Sequence, residues 1–138
     1  MKRLKHLIVP AAITFLSAPL CISQGLAQTA APGPVKASPG KQAVVGYYSF
    51  LRNDCSGGAV PKVNVQRVPQ HGTLTLKTGT LETKRLQACG TVKAPTVVVL
   101  YQSAGDYLGP DSAAFEVVNT DTKQVQPNEV SINVMAAP

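Results

Sequence analysis

The side chains able to do chemistry are few and scattered. Histidine occurs at His6 and His71, cysteine at Cys21, Cys55 and Cys89, and the seven acids are spread from Asp54 to Glu129. His71 lies in the turn sequence Pro69-Gln70-His71-Gly72. To act as a general base it needs a neighbouring serine or threonine and an orienting acid. The chain contains no nucleophile-elbow motif that would supply the serine,. The expectation is therefore turn chemistry at His71, with a small secreted hydrolase using His71 as the alternative.

Metal chemistry has equally thin support. Calcium requires six to eight oxygens, for which Asp106, Asp111, Asp54 and Asp121 are the available carboxylates, and they occur in no dense acidic run. Zinc would need more than one histidine once two cysteines are paired. No glycine loop of the phosphate-cradling type leads into a helix,. The sequence predicts no metal, no cofactor and no catalytic residue.

The elements around these residues begin with an address. Met1-Lys2-Arg3-Leu4-Lys5-His6 is followed by an apolar run from Leu7 to Leu20 and by the small residues near Gly25-Leu26-Ala27. A basic head, a short apolar middle and a small-residue exit form a secretory signal peptide, expected over residues 1–27 with cleavage after Ala27. Pro10 and Pro19 interrupt the run, which is too short for a permanent membrane span,. Ala18-Pro19-Leu20 before Cys21 sets a leucine where lipoprotein processing takes a small residue, so lipidation is not expected,.

Cleavage leaves 138 − 27 = 111 residues, the size of one domain,. Three of the 13 basic residues leave with the signal while the seven acids remain, so the mature charge is 10 − 7 = +3. That excess serves solubility and carries no nucleic-acid signature. Lys84-Arg85 is the single adjacent basic pair in the mature chain. Tyr47, Tyr48 and Phe50 stand near Lys41 and Arg52, but strand alternation sends neighbouring rings to opposite faces. Partners are therefore expected to be envelope proteins or polysaccharides, with no nucleic acid and no stable membrane insertion.

Export puts Cys55 and Cys89 in an oxidising compartment, where an even count predicts a bridge. Closing a loop of about 35 residues removes roughly 4 kcal/mol of denatured-chain entropy in the chain-entropy account.

Residues 28–42 hold Pro32, Pro34, Pro39, Gly33 and Gly40 among alanines, and read as a flexible leader,. The folded domain is expected over 43–138. Val44 to Leu51 is β-branched and aromatic and ends in the turn residues Asn53 to Gly58,. Val63 and Val65 alternate with polar residues, as do Leu74 and Leu76, which marks strands with one wet face. Thr78-Gly79 fits a tight hairpin into Thr80–Thr83. Thr96 to Tyr101 is the most apolar run of the mature chain and predicts a central strand,. Ser103 to Ser112 reads as a structured turn, and Phe115–Val118 and Val130–Val134 as the last two strands, joined by a long exposed loop over 119–128. No apolar repeat of helical period persists. About seven short strands punctuated by Gly and Pro predict an all-β antiparallel sandwich.

Pro69-Gln70-His71-Gly72-Thr73-Leu74, then Leu100-Tyr101, then Gly105-Asp106-Tyr107-Leu108-Gly109-Pro110-Asp111-Ser112 and Phe115-Glu116-Val117-Val118 form a pattern that resembles bacterial cadherin-like and Ig-like repeats. The likeness spans about Val63 to Val134. Gln102 and Ser103 stand where that family often has a proline, and Ala113-Ala114 intervene before the phenylalanine. The resemblance implies an extracytoplasmic adhesion or spacer module. Gly72 and Gly109 are then expected at positive φ, Tyr107 in a tyrosine-corner role, and Asp111 accepting amides within its own turn. Function is expected to be non-catalytic binding or support in the periplasm or outside the cell. Display of the 119–128 loop by a secreted inhibitor or effector is a further alternative.

Overall fold

In a computed structural model, residues 33–84 and 87–136 are described; the expected signal peptide, 1–27, and the start of the leader lie outside them. The chain is all β, with strands β1 (Val35–Ala37), β2 (Gln42–Tyr48), β3 (Lys62–Arg67), β4 (Gly72–Thr83), β5 (Val92–Ser103), β6 (Gly109–Val118) and β7 (Val125–Val134). A single 3-10 turn, Gln87–Cys89, is the helical exception among the described residues. One sheet has the order β1-β7-β6-β3 and the other β2-β5-β4.

Alternation builds the layers. Along β6 the buried positions are Asp111, Ala113, Phe115 and Val117, every second residue, so one face is apolar except at its first member. β5 supplies Val99 and Tyr101 from the opposite sheet, both fully buried. Val99, Phe115 and Val117 form one core cluster, and Ala37, Tyr101, Ile132 and Val134 form another. Val45, Leu74 and Val130 pack against both clusters. Tyr48 meets Phe115 edge to face, with ring centroids 5.7 Å apart. Burying a side chain such as Phe115 stabilises by about 1.5–3 kcal/mol.

The disulfide joins Cys55 to Cys89 with a sequence separation of 34. It fastens the segment that crosses from β2 to β3 onto the 3-10 turn between β4 and β5. Cys55 adopts φ +67°, a conformation non-glycine residues visit rarely.

Several expected boundaries are corrected. The leader expected over 28–42 contains β1, paired in parallel with β7 through Val35–Ile132, Lys36–Asn133 and Ala37–Val134. Three residues between prolines are enough, because Ala37 closes the core and its carbonyl accepts the Met135 amide. Thr78-Gly79 does not turn: β4 runs unbroken to Thr83 against β5. The pairing offered by twelve residues of β5 outweighs the local turn preference. Pro95 lies inside β5, at a level where β2 has already ended at the Tyr48–Val97 pair. A proline is tolerated there because one side of the strand has no ladder to lose. The loop expected over 119–128 is shorter, since Val125–Asn128 belong to β7. Asp111 stands on β6 and not in a turn.

Candidate functional site

Of the residues singled out by the sequence, His71, Gly72, Tyr107, Gly109 and Asp111 converge at one end of the sandwich. There the Pro69–Gly72 turn, the segment from Ala104 to Leu108 and the start of β6 come together. The register explains why: Gly72 pairs with Ser103 and Gly109 with Val134, so both sheets begin or end at this level.

Asp111 organises the end. One carboxylate oxygen accepts the amides of Gln70 at 3.0 Å and Ser112 at 2.8 Å, and the other accepts the amide of His71 at 2.9 Å and the hydroxyl of Tyr101 at 2.9 Å. Four donors fill about the four lone-pair positions a carboxylate presents. Burial by itself raises the Asp111 pKa, but the donors from His71, Gln70, Ser112 and Tyr101 win and hold it below the ordinary carboxylate value. A metal ion at Asp111 would have to displace donors that are already well placed. Tyr101 responds in the opposite sense: burial first, then its bond to Asp111, pushes its hydroxyl pKa well up. It is therefore a donor at any physiological pH.

His71 is placed by its backbone. Its amide is held by Asp111, its carbonyl accepts the Ala104 amide at 2.9 Å, and its ring lies flat on Tyr107 with centroids 4.0 Å apart and planes 4° from parallel. The nearby carboxylate thus takes the His71 main chain and not the imidazole. Tyr107 in turn donates its hydroxyl to the Pro110 carbonyl, closing the turn. Gly109 has φ +129°, which a side chain would oppose,.

Gly72 needs to be glycine for a different reason than positive φ. A Cβ there would fall 2.5 Å from the Tyr101 ring and 2.6 Å from the Gln102 carbonyl oxygen. The requirement is closeness of approach, because the turn lies directly on the tyrosine that Asp111 holds. The donor role of Tyr101 and the amide of Gln70 were not foreseen from sequence. One signal was present: stepping back by twos from Phe115 places Asp111 in the inward phase, where a carboxylate must find donors.

Two open clefts flank the turn. One, of about 580 Å³, is lined by Pro34, Gln70, Pro110, Ser112, Ser131 and Asn133 among others. The second, of about 610 Å³, is lined by Gln70, His71, Thr73, Gln102 and Ala104 among others. Gln70 borders both, and their walls are mainly polar, with Asp111 among those of the first.

The opposite end carries the disulfide and the Asn119–Gln124 loop. Arg52 binds Asp121 at 2.9 Å, and Asp121 also accepts the Ala59 amide. Asn119 is buried and accepts the amides of Asp121 and Thr122. Asp54 is engaged by the Ser56 hydroxyl and amide, which lower its pKa. Among the described residues no group of three or more His, Cys, Asp or Glu side chains is arranged to hold a metal ion. No described helix is long and apolar enough to cross a membrane. In comparisons with known proteins, no family model, no curated protein and no solved structure matches this chain.

Proposed function

We propose that this chain is an exported, non-catalytic binding or structural module of the bacterial cell envelope, similar to Ig-like and cadherin-like repeats, that presents loops or a sheet edge to a protein or polysaccharide. The observation that carries the proposal is the use made of Asp111. Every donor it accepts fixes backbone or the core tyrosine, so the turn bearing Gln70 and His71 is rigid and its acid is unavailable to an imidazole. A hydrolase built on His71 would need that acid on the ring. A pre-formed turn between two polar clefts suits recognition instead, because little order has to be gained on binding. The disulfide accords with a periplasmic or secreted location.

The test immobilises the mature chain, 28–138, and challenges it with envelope extracts and an array of bacterial polysaccharides. The expected result is retention of a defined protein or glycan, weakened about tenfold or more when Gln70, His71 and Gln102 are replaced by alanine. The proposal is overturned by retention of neither class, or by ester or peptide hydrolysis that disappears in His71→Ala.

A further inference from the structure

Among the described residues four strand edges close the two sheets, and three of them are short or bulged. β1 is three residues long. β2 is broken by a bulge between Val44 and Gly46, and β3 by one between Val65 and Arg67. Shortness and bulges are the usual protections of an edge. β4 has neither. It is twelve residues long, pairs with β5 at twelve consecutive positions without a register shift, and contains no proline. From Thr75 to Glu82 every residue is exposed.

We infer that the β4 edge is a self-association surface, on which a second copy of this chain adds its own β4 antiparallel to give a continuous six-stranded sheet. Two-fold symmetry about an axis normal to the sheet requires partners of like parity, since alternate residues face opposite sides. Among such registers, the one centred on Thr80 matches the side chains. Thr80 then faces Thr80 of the other copy, Thr78 faces Glu82, and Leu81 faces Gly79. Gly79 has nothing within 4 Å of where a Cβ would stand, so the facing Leu81, itself 37% exposed, covers an open gap. Threonine pairs across strands are favourable.

Charge is compatible with the same arrangement. The strand carries Lys77 toward its start and Glu82 toward its end. In the antiparallel pair each Lys77 falls opposite Thr83 and each Glu82 opposite Thr78, so no charge faces a like charge. The two lysines stand six residues apart along the ladder, about 20 Å at the strand rise. That exceeds the roughly 8 Å screening length at physiological salt, so repulsion between them is screened. The surface is independent of the turn-end site proposed above, and its failure would leave that reading untouched.

The test uses the mature, oxidised chain. Sedimentation velocity at concentrations up to roughly 100 μM is expected to show a dimer, and Leu81→Lys to shift its dissociation at least about tenfold with far-UV circular dichroism unchanged. Thr80→Cys, treated with a short bismaleimide, is expected to cross-link at least about tenfold faster than Thr75→Cys, which the register keeps far from its symmetry mate. A monomer throughout that range, or equal cross-linking of the two cysteine variants, overturns the inference. Capture of an unrelated extended peptide on β4 with no preference for Thr80→Cys overturns it as well.

Discussion

Tyr101, on the central strand of the three-stranded sheet, donates its hydroxyl to Asp111, on the four-stranded sheet, at 2.9 Å. This bond crosses the interior between the layers, and Asp111 also accepts the amides of Gln70 and His71. A single carboxylate thereby joins both sheets and the turn between β3 and β4.

Replacing Asp111 with asparagine keeps the shape but exchanges charged acceptors for one neutral oxygen and two donors. Bonds to charged groups contribute about 1.5–3 kcal/mol each, and stranded buried donors cost a similar amount. Asp111→Asn is expected to destabilise by about 2–4 kcal/mol in urea unfolding. Tyr101→Phe should cost about 1–2 kcal/mol, and the double variant less than the sum, because the two share one bond.

Acid should act through the same group. Its folded pKa lies below the unfolded value of about 3.9,, so its contribution is fully present above that value. The contribution is lost as pH falls through the lower folded pKa. Melting temperature followed from about pH 5 to pH 2 should drop less steeply in Asp111→Asn than in the parent; parallel curves would remove Asp111 as the source.

Gly72→Ala must push against the Tyr101 ring and the Gln102 backbone, and overpacking of this kind costs about 1–3 kcal/mol. Gly79→Ala meets nothing and should stabilise the dilute monomer by about 0.5–1 kcal/mol. Thermal unfolding of the two variants under identical conditions is expected to move in opposite directions.

Reduction of the Cys55–Cys89 bridge, which spans 34 residues, should lower stability by about 4 kcal/mol in the chain-entropy account. The Cys55→Ser, Cys89→Ser variant should show the same loss with no further response to reductant. The sheet ladders do not pass through either cysteine, so the strand content by circular dichroism is expected to survive.

Part of this molecule is written in short-range order. Alternation at Val63 and Val65, the apolar run from Thr96 to Tyr101, and the paired cysteines were sufficient for an all-β sandwich with one bridge, because period and composition are local properties. Where those signals run short the local pattern ends early: it marks β6 only from Phe115, although the strand extends back to Gly109, and it suggests a turn at Gly79 where the β4 ladder continues. A neighbouring strand decides such limits, and no neighbour is visible in the chain order. The same holds for much of the site. The positive φ of Gly109 and the backbone partner of the Tyr107 hydroxyl follow from the local sequence, whereas the roles of His71, Gly72 and Asp111 came from groups placed against them by folding. Asp111 reaches Gln70 across 41 positions, and Gly72 is small because the Tyr101 ring lies over it. The sequence alone determined the class of fold and its covalent tie, since these depend on pattern and oxidation. Which hydroxyl and which amides a buried carboxylate would hold was decided only by the packing of one sheet on the other, where every polar group taken from water must be answered by another.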